Sequence, residues 1–209
     1  MKFIDIKKAS SEAKALIAKE VAGNLKQGKC AVFPTETVYG LACDMLNEEA
    51  VNRIYEIKGR ERNKPLPVMI GNTEDIYSVA KDIPYLFFEI AKKYMPGPVT
   101  VILKKKETVS DIISGGLDTV GVRMPNHLFA LKMIQFLGHP IIATSANLSG
   151  NPSPKDFSEA KKDMLGKCDI FIDDGKCEDG MPSTIIDLSG EKLKILRQGH
   201  TDLSEFLEK

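Results

Sequence analysis

The chain has 209 residues, with 29 Lys plus Arg against 29 Asp plus Glu and a formal net charge of +0. No global field draws it to nucleic acid or to an anionic membrane, so any anion site has to be local. Four cysteines (Cys30, Cys43, Cys168, Cys177) are too few to staple a domain of this size and lack zinc spacing, which points to reduced thiols in a cytoplasmic setting, with Cys168 and Cys177 the one pair to check for redox chemistry.

In chain order, Phe3 to Ile6 reads as a short strand and Ser11 to Lys26 as a helix. Its Ala15, Ile17/Ala18, Val21/Ala22 and Leu25 face inward, and Gly28 follows its end. Lys7, Lys8 and Glu12 interrupt this region before any apolar run, so no signal peptide is read. Cys30 to Phe33 is a buried-type strand, followed by the polar turn Pro34-Thr35-Glu36-Thr37 and then a helix. Asn47 caps that helix, Glu48 and Glu49 suit its positive end, and Val51, Ile54, Tyr55 and Lys58 fall on one side. Lys58 therefore leaves the helix beside its apolar face. Arg60, Arg62 and Lys64 recur at every second position, which in an extended segment sets three cations on one side as an anion grip.

Leu66 to Ile70 begins a further strand, and residues 72 to 95 look helical in two pieces broken at Pro84. Val99 to Leu103 is a strand, Lys104 to Glu107 a charged turn, and Val109 to Ile113 with Gly115-Gly116 a flexible connector. Thr119 to Met124 is a strand stopped by Pro125, and the helix His127 to Leu137 carries Leu128, Leu131, Ile134/Gln135 and Leu137. Ile141 to Thr144 opens into a run of turn formers, Ser145 to Pro154. Met133 to Pro154 is free of Lys, Arg, Asp and Glu, but its prolines, glycines and polar residues exclude a membrane helix. Ser158 to Leu165 is a short helix, Ile170 to Ile172 a strand, Asp173 to Pro182 an acidic loop, Ser183 to Leu188 with Leu193 to Leu196 a hairpin, and the tail from Leu203 a short amphipathic helix. Helices and strands mix without strict alternation, and no repeat or linker divides residues 1–209. The expectation is a single α/β domain: a twisted mixed β-sheet flanked by helices, with a large concave cleft.

Polar clusters follow the predicted strands: Thr35 and Thr37, Arg123, Ser145 and Asn147, and Arg197. Ligand sites in open α/β folds gather at strand ends, so these clusters are expected to meet in one cleft with Lys58, Arg60 and Arg62. Such a set suits a polyphosphate next to a carboxylate. Each cluster taken alone also has a plain explanation, a solvated basic surface or hydroxyls bonding their own turns. Ser145 lacks a nucleophile elbow, and His127, His139 and His200 read as caps or surface residues. Asp173, Asp174, Glu178 and Asp179 read as an exposed acidic loop rather than a metal site. Neither a Walker loop nor a dinucleotide glycine fingerprint is present.

The ordered strings Pro34-Thr35-Glu36-Thr37-Val38-Tyr39-Gly40-Leu41, Lys58-Gly59-Arg60 with Pro65-Leu66, Pro96-Gly97-Pro98-Val99-Thr100, Val122-Arg123-Met124-Pro125 and Thr144-Ser145-Ala146-Asn147-Leu148-Ser149-Gly150 resemble the YrdC-domain family, the L-threonylcarbamoyladenylate synthases. The resemblance implies a nucleotidyltransferase that joins L-threonine, bicarbonate and ATP into threonylcarbamoyl-AMP and pyrophosphate, for modification of tRNA position 37. It implies Lys58 and Arg60 as catalytic residues. Thr35, Arg60, Pro67, Arg123, the Ala143 backbone and Ser183 would bind L-threonine, and Lys58, Arg62, Thr119, Ser145, Asn147, Ser153 and Arg197 would bind ATP. Magnesium would arrive on the ATP phosphates, without a dedicated protein cage. A cover over the cleft, from Ser149 to Pro154 or Arg60 to Pro65, would protect a water-labile carbamate. A separate threonylcarbamoyl transferase complex is the implied downstream partner. Two departures stand out. Some relatives carry a histidine shortly after the Pro-Leu, where this chain has Pro67-Val68-Met69-Ile70, and the chain ends at Lys209, as in the short form of the family. The rival readings are a module that contacts RNA through the same basic concave surface, and a paralogue with another substrate.

Overall fold

The computed structural model describes residues 1–207. Its elements in chain order are β1 (Lys2–Asp5), α1 (Ser11–Lys26), β2 (Ala31–Phe33), β3 (Gly40–Asp44), α2 (Glu48–Lys58), β4 (Val68–Met69), α3 (Ile76–Val79), α4 (Tyr85–Tyr94), β5 (Val99–Lys104), α5 (Asp111–Ser114), β6 (Thr119–Arg123), α6 (Leu128–Leu137), β7 (Ile141–Ser145), α7 (Phe157–Met164), β8 (Ile170–Asp173), β9 (Thr184–Asp187) and β10 (Lys194–Arg197). The strands form one sheet in the order β1-β8-β2-β3-β7-β4-β6-β5-β9-β10, with parallel and antiparallel neighbours mixed as expected. Local chemistry sets the helix ends. Ser10 accepts from the Ala13 N–H, Asn47 accepts from the Ala50 N–H, and Pro84 stands immediately before α4.

The two faces of the sheet are covered unequally, and this places the site. On one face Val32, Leu41, Val68, Val101, Val122, Ile142 and Ile186 pack with residues of α2, α3, α4, α5 and α7 in a core that runs nearly the whole width of the sheet. On the other, α1 and α6 pack over Ala31, Phe33, Ala42, Met69, Ile141, Ala143, Ile170 and Ile172. That second core stops at β4 and β7. Beyond it the same face of β6, β5 and β9 carries Gly121, Thr100, Ile102 and Ile185, and these line an open cleft.

Several expectations are corrected. The stretch after the Pro34–Thr37 turn contains β3, a fully buried strand that sequence reading passed over, because a continuous apolar run such as Gly40–Asp44 has no alternation to mark it. The strand expected at Leu66 to Ile70 is only Val68–Met69. The connector around residue 112 contains α5, ended by Gly115 at a φ of 61°. The face of α6 is shifted from the expected one, with Ile134 and Leu137 buried as expected but Leu128 outside it. Phe129, Ala130, Met133, Ile134 and Leu137 are buried, whereas Leu128 is 44% exposed. Leucine at i and i+3 marked one stripe, and the packing of α1 selects the adjacent one. The tail helix is reduced to a 3₁₀ turn at Ser204–Phe206, and Glu208 and Lys209 lie outside the described residues. All four cysteines are free and buried. Among the described residues no helix is long and apolar enough to cross a membrane.

Truncating Phe129 to Ala should cost about 3–5 kcal/mol in chemical denaturation, and Leu128→Ala no more than about 0.5 kcal/mol. Equal losses would return α6 to the face expected from its leucines.

Candidate active site

The cleft has a volume of about 350 Å³. Strand alternation builds its floor: Thr119, Gly121 and Arg123 are every second residue of β6, Thr100 and Ile102 are every second residue of β5, and the β5–β6 register sets Thr100 opposite Arg123 and Ile102 opposite Gly121. Ala143 and Ser145 of β7 and Met69 of β4 continue it on one side. Loops form the rim: Thr35 to Gly40, Arg60, Pro65 to Pro67, Ser153, and Pro182–Ser183 with Arg197. The expected convergence occurs in part, for Thr35, Arg60, Arg123, Ser145 and Arg197, and across a sheet face as well as at strand ends.

The cations of this region are held mainly by main-chain carbonyls. Lys58 is 2% exposed, and its Nζ donates to Ser145 O at 2.5 Å and Asn147 O at 2.7 Å. The chain returns the contact, since Ser149 N donates to Lys58 O. Burial, helped by the charge of Arg60, pushes the Lys58 ammonium down to about 8. Gly59 ends α2 in the left-handed region at φ 58° and turns Arg60 toward the cleft, where its Nε donates to Lys64 O and its Nη2 to Pro65 O. Arg197 donates from Nε and Nη2 to Ser183 O at 3.0 and 2.8 Å. Its place depends on Gly199, because a Cβ there would lie 2.4 Å from Pro182 O. Burial lowers the pKa of Arg60 and Arg197, and Arg123 adds to the effect on Arg197.

Arg123 is the exception. Its Nη2 lies 2.8 Å from Glu36 Oε1, both side chains being buried, and also donates to Thr37 Oγ1 at 2.7 Å. The Thr37 hydroxyl is in turn 2.9 Å from that of Thr35, which donates to Val38 O at 2.7 Å. Because the single Thr35 proton goes to Val38 O, Thr37 is the donor between the two threonines. Order therefore runs from guanidinium to Thr37 to Thr35 to backbone. Opposite, Ser183 and Thr100 share a hydrogen bond of 2.8 Å, and Ser183 Oγ also accepts from Arg197.

Among the residues singled out from sequence, Thr35, Arg60, Pro67, Thr119, Arg123, Ala143, Ser145, Ser153, Ser183 and Arg197 line the cleft. Lys58, Arg62 and Asn147 do not, nor does Thr37, which is fully buried behind Arg123 and Thr35. Lys58 and Asn147 stand behind Ser145, with the Asn147 amide donating to Leu148 O and Asn151 O. Arg62 turns away, over the Tyr55 ring and against Asn52 and Glu56. The anion grip is thus corrected to one cation: residues 61 to 64 form a turn closed by Lys64 N to Glu61 O, so alternate positions do not share a side. The segments named as covers are tethered, Asn151 to Asp163 and Arg60 to its own loop carbonyls. His127 is not a surface cap. It is mostly buried 3.5 Å from Asp174, burial lowers its pKa, and its Nδ1 has no partner. Asp173 and Asp174 are partly buried in ion pairs with Lys7 and Lys14, and among the described residues no group of three His, Cys, Asp or Glu is placed to hold a metal. Thr100, Gly121 and Ile185 were missed as lining residues. Their only signal is period two on strands whose neighbours were unknown.

The fold and site define an α/β protein with a mixed sheet whose half-uncovered face forms a cationic, hydroxyl-lined cleft. The Sua5/YciO/YrdC family model, described as "Telomere recombination", matches residues 23–199, and the chain belongs to that family. It is 45% identical over 203 residues to the threonylcarbamoyl-AMP synthase of Pyrococcus abyssi, covering 97% of this chain and 59% of that protein. It is 36% identical over 198 residues to the threonylcarbamoyl-AMP synthase of Bacillus subtilis, covering 94% of this chain and 57% of that protein. The chain thus spans less than two thirds of either relative. The crystal structure of P. abyssi Sua5 complexed with L-threonine superposes with a TM-score of 0.93 at 42% identity, over 98% of this chain and 59% of that one. Escherichia coli YciO shares the fold, with a TM-score of 0.85 at 24% identity, over 99% of this chain and 98% of that one.

Lys58 carries a pH prediction. Its folded pKa of about 8 lies below the ordinary 10.5, so above pH 8 the unfolded chain binds more protons than the folded one and stability gained through this group rises with pH. The unfolding free energy of the wild type, measured relative to Lys58→Met, should increase by about 3 kcal/mol between pH 7 and 11. A flat difference would show that Lys58 is not a desolvated ammonium.

Proposed function

We propose that the protein is a threonylcarbamoyl-AMP synthase, a cytoplasmic nucleotidyltransferase that converts L-threonine, bicarbonate and ATP to threonylcarbamoyl-AMP and pyrophosphate for tRNA modification. The observation that carries the reading is the set of guanidinium groups held on carbonyl oxygens, Arg60 and Arg197, facing a cleft that Arg123 shares. Charges satisfied by dipoles rather than by carboxylates keep their attraction for a polyphosphate. The likeness to P. abyssi Sua5, solved with L-threonine, supports the amino-acid half.

In this reading Arg123, Ser183 and Thr35 take the threonine end, with Pro67 and Ala143 as its walls. Arg60, Thr119, Ser145, Ser153 and Arg197 take the ATP end, Arg60 also reaching threonine. Lys58 and Asn147 act by fixing the Ser145 turn, and Arg62 would have to swing inward to reach a phosphate. The threonine amine attacks carbon dioxide with loss of a proton, or bicarbonate with loss of water, a carbamate oxygen then attacks the α-phosphorus, and the bond to the β-phosphate breaks to release pyrophosphate. The reacting partners are anions, so the cations screen repulsion and hold the groups in line, which is positioning and electrostatics more than proton transfer. The cleft lining contains no carboxylate, so magnesium would ride on the phosphates and supply charge neutralisation there. Transfer of the product to tRNA would fall to a separate complex.

Pyrophosphate release from ATP should require both L-threonine and bicarbonate. An RNA-binding module would release none, and a paralogue would respond to another amine. Arg60→Ala or Lys58→Ala should lower the rate at least about 100-fold. Unchanged turnover would remove the cleft assignment.

A further inference from the structure

Glu36 is unusual for a buried carboxylate. It is 4% exposed, lies in the turn between β2 and β3, and neither oxygen has a hydrogen-bond partner among the described residues. Its backbone is pinned, since Asp179 N donates to Glu36 O at 2.8 Å. Its ion-pair partner among the described residues is Arg123, at 2.8 Å, with the N–H vectors misaligned. Arg123 is likewise incompletely satisfied: Nη2 serves Thr37, while the buried Nε has no partner. Burying two charges is expensive, and an imperfectly hydrogen-bonded pair recovers the cost poorly. A chain tuned only for stability has little reason to keep it.

The rest of the cleft sharpens the contrast. Arg60 and Arg197 are held by carbonyls. Arg123 alone faces a carboxylate, yet Glu36 does not line the cleft and Arg123 does. The carboxylate sits behind the guanidinium as a backstop. A single hydrogen bond to the Thr37 hydroxyl cannot fix both the position and the plane of a guanidinium, whereas a rigidly anchored charge behind it can.

We propose that Glu36 is a positioning residue that holds the Arg123 guanidinium in the plane where its unspent Nε–H meets the carboxylate of the amino-acid substrate. The inference rests on the amino-acid reading of this cleft. It accounts for the unsatisfied Nε–H, because that donor is used when an incoming carboxylate accepts from it. It also assigns a purpose to the Thr37–Thr35 relay, which passes the orientation of Arg123 to the rim hydroxyl.

The test is a double-mutant cycle in the full chain, with Glu36→Gln, Arg123→Gln and the pair, read as Kd for L-threonine by calorimetry and with ATP binding measured in parallel as the folding control. Displacing a binding group by about an ångström costs up to 100-fold, so Glu36→Gln should weaken L-threonine at least about tenfold. ATP affinity should stay within about threefold, and the Glu36 effect should vanish when Arg123 is already Gln. Glu36→Asp, which keeps the charge, should restore part of the loss. Tighter L-threonine binding by Glu36→Gln would make Glu36 a mere counter-charge and overturn the proposal. So would an equal loss of ATP binding, or an effect that persists without Arg123. If the wild type binds ATP but no L-threonine, the amino-acid reading itself fails and takes the inference with it.

Discussion

A cation that must attract an anionic substrate has to be buried enough to be oriented without being neutralised by its own protein. This chain meets the constraint, for every cation of the region but Arg123, by giving it carbonyl oxygens instead of carboxylates. Lys58 is fixed by Ser145 O and Asn147 O, Arg60 by Lys64 O and Pro65 O, and Arg197 by Ser183 O. Dipoles orient the charge and leave its net sign intact. The cost is visible in the lowered pKa values of all three, each dominated by burial.

The carbonyls that do this work belong to irregular segments, and the sheet decides where those segments lie. With α1 and α6 packed only over the β1-to-β4 part of one face, no helix among the described residues covers the β6–β5–β9 part. Small and polar residues at Gly121, Thr100 and Thr119 make that surface a floor rather than an exposed apolar patch. Loops from both ends of the chain then wall it. Gly199 lets the Arg197 segment cross directly over the Ser183 backbone, joining the last strand to a rim begun near residue 35.

Hydroxyl groups act here as connectors. Thr37 and Thr35 link Arg123 to the Val38 carbonyl, and Thr100 and Ser183 link the floor to Arg197. Their hydrogen bonds are short range and cheap to bury when fully paired. They tie segments far apart in the chain, the turn after β2 to β6 through Thr37 and Arg123 and β5 to the start of β9 through Thr100 and Ser183, which keeps the rim geometry from depending on any single loop.

Local rules in the sequence determined much of this. Helix caps at Ser10 and Asn47, the buried side of α2 with Lys58 on it, the break at Pro84 and the mixed character of the sheet follow from periodicity and turn chemistry that act over a few residues. Ten of the residues named from the sequence line one cleft, four of them, Thr35, Arg60, Arg123 and Ser145, within the ordered motifs. Only tertiary structure decided which stripe of α6 is inward, because that depends on α1, and that β3 is a strand, because a doubly covered strand carries no alternation. It also decided that Arg62 leaves the site and Lys58 stands behind Ser145. A side chain's partner is chosen by whichever backbone carbonyl the fold brings within 3 Å, and sequence spacing does not encode that distance.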